Sequence, residues 1–149
     1  MALGRMSTAK DVSPVGWYVG TYQLRFVEVH DRRKNDLKRR FLTWENTVLV
    51  KAAGLAEAHR KVVKIGESYT KPYKGGPDAI DVQWLFEGVI DLLPVYEEIE
   101  DGAEIMWAER TKTLKNIRKH AKGAAVFGGR RSGPTSRSTR SRAKTRAPG

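Results

Sequence analysis

Asp81, Glu87 and Asp91 are the residues of this chain whose type and spacing come nearest to catalytic chemistry. On an extended segment their shared parity would project all three from one side. Two such carboxylates around a divalent cation, with a lysine such as Lys51 on a neighbouring strand, would form the centre of a metal-dependent nuclease. Alternation offers a simpler account, because the solvent face of an antiparallel strand carries polar residues whatever the protein does. The simpler account is the expectation adopted. His30, His59 and His120 each stand alone, without a second histidine at metal-ligand spacing. The chain has no cysteine, which excludes disulfides, thiolate metal sites and cysteine nucleophiles and suits a reducing cytoplasm. Gly75-Gly76 and Gly128-Gly129 lack the strand–loop–helix setting that cradles phosphate, and no nucleophile elbow is present. The sequence therefore predicts a non-enzymatic protein with no catalytic residue, no metal site and no cofactor.

Charge is more informative than any of these candidates. From Thr111 to Gly149 there are twelve Lys and Arg and no Asp or Glu. Subtracting the tail's twelve from 28 basic residues leaves sixteen against seventeen acidic ones, so residues 1–110 sum to −1 and the tail carries +12. A nearly neutral domain thus bears a basic arm, which points to a polyanionic partner. The candidate nucleic-acid-binding residues are Lys112, Lys115, Arg118, Lys119, Lys122, Arg130, Arg131, Arg137, Arg140, Arg142, Lys144 and Arg146. No stretch is long and apolar enough for a membrane span, so no membrane partner is expected.

The elements that would position these groups are legible in the pattern. Residues 1–15 read as a flexible leader ending at Ser13-Pro14. Trp17 to His30 reads as a first strand, with Tyr18, Tyr22, Leu24 and Phe26 on one face and a phase shift near Val27. The charged run Asp31 to Arg40 reads as the solvated loop of a long hairpin, with a second anion contact as the alternative. Phe41 to Ala52 reads as the second strand, with Leu42, Trp44, Val48 and Val50 on the buried parity. Leu55, Ala58, Val62 and Ile65 recur at helical spacing over 54–68. Breaks at Lys71-Pro72 and Gly75-Gly76-Pro77 precede a third strand over 79–93, with a bulge expected at Gly88. Val95–Ile99 and Ala103–Arg110 flank Asp101-Gly102, a strong hairpin signal. All four tryptophans, Trp17, Trp44, Trp84 and Trp107, fall in these predicted strands, where core packing is expected. The fold class is α+β: an antiparallel sheet of four to five strands covered by one main helix over residues 16–110. A short basic helix over 111–122 and a disordered tail over 123–149 follow, since the tail lacks the apolar residues needed to offset ordering entropy.

The order of these motifs resembles a known family. Trp17-Tyr18-Val19, the run Glu45 to Ala52 leading to Glu57-Ala58, the strand Trp84 to Leu92, and Glu100 to Ile105 are similar to the bacterial DUF4288 domains. The resemblance spans about residues 17–110 and implies a small α+β domain without assigned chemistry. The functional expectation is a cytoplasmic binding protein whose arm associates nonspecifically with nucleic acid. The alternative is a protein–protein interaction domain, comparable to an immunity protein, whose tail only aids solubility.

Overall fold

A computed structural model describes residues 9–128. Strands β1 (Trp17–Glu28), β2 (Thr43–Lys51), β3 (Tyr73–Gly75) and β4 (Ile80–Pro94) form one antiparallel sheet in the order β2-β1-β4-β3. Helix α1 (Leu55–Glu67) joins β2 to β3 and packs on one face of the sheet. This is the expected α+β architecture, with α1 within a residue of its predicted bounds.

The central position of β1 follows from its composition. Tyr18, Tyr22 and Leu24 are buried on the helix side, and Val19, Thr21 and Val27 are buried on the other parity, as a strand flanked by two neighbours allows. Trp84 of β4 is fully buried, with Phe26 edge-on at 5.1 Å and Trp44 at 4.8 Å between ring centroids. Ala58 and Val62 of α1 close this cluster from above. Gly66 lets the helix approach, because a Cβ there would lie 2.5 Å from the Phe86 ring. Glu57 braces the start of α1 by accepting from the Ala53 N–H at 3.2 Å and pairing with Lys61 at 3.7 Å.

The expected bulge is present. Gly88 adopts φ 102°, and the β1–β4 register shifts on either side of Tyr22. The extra residues change which side chains point inward. Val89 packs against the core, whereas Ile90, which shares the parity of the inward-facing Trp84 and Phe86, is exposed. Leu42, expected on the buried parity, is also exposed, and β2 begins at Thr43, two residues later than expected.

Three sequence expectations are corrected. The end of the leader is docked rather than loose: Ser13 is buried, its Oγ donates to the Val95 carbonyl at 2.5 Å, and its N–H donates to Tyr18 Oη at 2.9 Å. The Tyr96 hydroxyl likewise donates to the Lys10 carbonyl. The predicted 95–110 hairpin does not form. Asp101-Gly102 makes its turn, with Ala103 N–H donating to the Glu100 carbonyl at 3.0 Å, but residues 95–110 contain no strand. The turn signal is local, whereas strands need a partner edge, and Val95 instead donates to the Trp17 carbonyl at the end of β1. Finally, the segment read as a chain break supplies β3, a three-residue strand paired with Ile80–Val82.

The chain divides near Met106 into two compact units. The second carries α2 (Leu114–His120), capped by Thr113, whose hydroxyl accepts the Asn116 N–H at 3.3 Å. It also carries the short α3 (Ala124–Gly128), a turn of helix inside the segment expected to lack structure. The disorder expected for 129–149 lies outside the described residues, as does the leader before Ala9. Among the described residues no helix is long and apolar enough to cross a membrane.

Candidate functional site

The three carboxylates that opened the sequence reading are not brought together. Asp81 and Asp91 lie ten residues apart on one strand, about 30 Å at the usual rise of an extended chain. Each is engaged locally. Asp81 pairs with Lys74 at 2.5 Å and His30 at 3.2 Å. Glu87 pairs with Arg25 at 2.8 Å. Asp91 accepts the N–H of Leu92 at 3.0 Å. Lys51 does not neighbour them either: β1 separates β2 from β4, and the Lys51 ammonium stands 5.4 Å from the Trp17 ring centroid. Among the described residues no cluster of three His, Asp or Glu side chains could hold a metal ion.

A cavity of about 390 Å³ instead lies between the sheet and the charged 31–40 loop, lined by Gln23, Arg25 and Glu87 from the sheet and by Lys34, Arg39 and Phe41 from the loop side. Arg25 organises it. Its side chain is 18% exposed, its Nε donates to Glu87, and its guanidinium lies 4.7 Å from the Phe41 ring centroid and also donates to the Lys34 carbonyl. Arg39 stands 5.2 Å from the same ring and pairs with Asp31. Gln23 donates to the Glu87 carbonyl at 3.0 Å.

The loop itself is built from successive turns closed by Asp31 and Asp36. Their carboxylates accept the N–H groups of Arg33 at 2.8 Å and Lys38 at 3.0 Å. The Arg33 N–H, followed by the Arg39 guanidinium, holds the Asp31 carboxyl below the ordinary carboxylate range. Lys74 and His30 hold Asp81 down in the same way. Lys34 donates to the Val29 carbonyl at 2.9 Å, and Arg33 pairs with Asp36 at 3.3 Å. The loop's cations therefore divide. Arg33, Lys34 and Arg39 are spent on structure, as is Arg25 of β1, whereas Arg32, Lys38 and Arg40 are exposed and make no ion pair within the described residues. Sequence reasoning flagged the charge run but missed Arg25 and Phe41. Neither belongs to a motif, and only the β1–β4 pairing brings Arg25 to Glu87.

The basic arm presents the opposite arrangement. Every residue from Glu104 to Gly128 is exposed. Lys112, Lys115, Arg118, Lys119 and Lys122 have no carboxylate partner among the described residues; Lys112 Nζ lies 3.2 Å from His120 Nδ1, and Lys122 donates to the Lys119 carbonyl at 3.0 Å. The remaining candidates, Arg130, Arg131, Arg137, Arg140, Arg142, Lys144 and Arg146, lie outside the described residues. Trp107 is also corrected: it lies in no strand and is 52% exposed, whereas Trp84 is the fully buried core tryptophan.

The model of the DUF4288 family, a domain of unknown function, matches residues 17–107, and the chain belongs to that family. The match ends before α2, so the arm is not part of the family domain. No curated protein and no solved structure matches the chain.

Proposed function

We propose that this DUF4288 protein is a non-enzymatic, cytoplasmic binding protein that uses its basic arm to associate with nucleic acid through the phosphate backbone. The observation carrying this reading is the exposure of five arm cations, Lys112 to Lys122, with no carboxylate partner among the described residues. Unneutralised cations release condensed counterions from a polyanion on contact, which gives affinity without sequence reading. The test is a titration of labelled duplex DNA and RNA with full-length protein and with a chain ending at Arg110. The reading predicts binding by the full chain only. Equal binding by both chains would contradict it.

A second reading is favoured by a separate observation. Tyr96, Ile99, Ile105 and Met106 are all exposed in the irregular segment that ends the family domain. Such side chains outside regular structure suit a protein partner of the domain. That partner would be captured equally well by the chain ending at Arg110, and salt would weaken its binding little.

A further inference from the structure

We infer that β2 is a self-pairing edge, through which a second copy of this chain extends the sheet in antiparallel fashion. The sheet has two edges, and they are treated differently. At one end β3 covers only Ile80–Val82, and the rest of that edge, β4 from Gln83 to Pro94, is interrupted by the bulge at Gly88 and ends in proline, which resists further pairing. At the other end β2 presents nine residues without proline, glycine or a register shift against β1.

The hydrogen-bonding parity of this edge is fixed by its ends. Phe26 N–H donates to the Leu42 carbonyl at 2.9 Å, and Ala52 N–H donates to the Gly16 carbonyl at 3.0 Å. Even-numbered residues of β2 therefore bond inward to β1. The backbone groups of Thr43, Glu45, Thr47, Leu49 and Lys51 point outward. Of these, the Lys51 carbonyl takes the Lys61 ammonium, which closes the end of the edge and leaves its middle open.

Charge complementarity selects the occupant and the register. Glu45 is exposed and makes no ion pair among the described residues, and Lys51 carries the other charge of the strand. When two copies pair about an axis through Val48, Glu45 of each copy lies opposite Lys51 of the other. Both ion pairs form together, and Thr47 faces Leu49 at the adjacent bonded positions. Shifting the register by two residues in either direction breaks both pairs. A partner identical to the chain thus bonds the open middle of the edge and satisfies both of its charges. The edge is independent of the arm, since all of β2 lies in the family domain.

The test is sedimentation of nuclease-treated full-length protein over a concentration series, with Glu45→Lys, Lys51→Glu and the double variant alongside. A concentration-dependent dimer is expected. Each single reversal should weaken it by about tenfold, because symmetry doubles every change, and the double variant should restore it. The absence of cysteine allows a second reading of register. Val48→Cys should cross-link to itself under mild oxidation, since residues opposite one another in a non-bonded pair come within about 4.5 Å between Cα atoms, whereas Asn46→Cys should not. Circular dichroism on each variant confirms that it folds. A monomer at every concentration would overturn the inference. So would a dimer indifferent to both reversals that leaves Val48→Cys unlinked, which would place association on another surface.

Discussion

The 31–40 loop and the 111–122 arm hold similar residues and put them to different use. The loop contains six Lys and Arg with two Asp, and the arm contains five Lys and Arg with none. In the loop, Asp31 and Asp36 organise successive turns and take up Arg33 and Arg39, Lys34 bonds backbone, and Arg25 from β1 is locked between Glu87 and Phe41. Half of its cations are held within the fold, and the result is a shaped cavity. The arm's cations make no ion pair among the described residues, which leaves their charge available to a partner. A count of cations would rank the two regions alike. What separates them is whether the fold supplies the counter-charge.

The largest expected effect that sharpens this comparison is loss of the arm. Ending the chain at Arg110 should abolish duplex binding, whereas Arg32, Lys38 and Arg40 replaced together by Gln should change affinity less than about threefold, since only a few screened surface charges are removed. Fluorescence anisotropy at fixed salt measures both. Next come changes to the domain's framework. Gly66→Ala forces a methyl against Phe86 and should destabilise the domain by about 1–3 kcal/mol in urea unfolding. Arg25→Met removes a largely buried guanidinium from Glu87 and the Lys34 carbonyl and should cost about 1–2 kcal/mol while leaving nucleic-acid affinity unchanged. If Arg25→Met instead weakened nucleic-acid binding, the loop's charge would not be internal.

The smallest effect concerns pH. Asp31 and Asp81 both have lowered folded-state pKa values. A depressed carboxyl stabilises the fold above its unfolded pKa, near 3.9, and loses that contribution as pH falls through the lower folded value. Domain stability should therefore decline toward acid below about pH 4. Asp31→Asn should flatten part of that decline, and NMR titration of the two carboxyls should give midpoints below the ordinary value.

The difference between the regions was only half legible in the sequence. The arm's one-sided charge is a property of composition, so it could be read directly. The helix and the three long strands were also readable, because their periodicities are local. What failed depended on pairing. Asp101-Gly102 encodes a turn, yet no neighbour accepts strands on either side of it. Tyr73–Gly75 pairs with β4 although it is bracketed by residues that signal a break. Ile90 and Val89 exchange faces because the shifts around Tyr22 alter the count. Arg25 looks like an ordinary strand residue until β4 brings Glu87 beside it. The cavity was invisible for the same reason, since its walls come from residues some sixty positions apart, as with Gln23 and Glu87.

The contrast between arm and loop is that the arm's cations make no ion pair among the described residues, while half of the loop's are held within the fold. Its most direct test is the salt dependence of duplex DNA binding by three full-length chains: the natural one, one with Lys112, Lys115, Arg118, Lys119 and Lys122 replaced by Gln, and one with Arg32, Lys38 and Arg40 replaced by Gln. The slope of log affinity against log salt should fall by about 0.9 for each arm cation that contacts phosphate, and should barely move in the loop variant. A slope that persists in the arm variant and collapses in the loop variant would contradict the account.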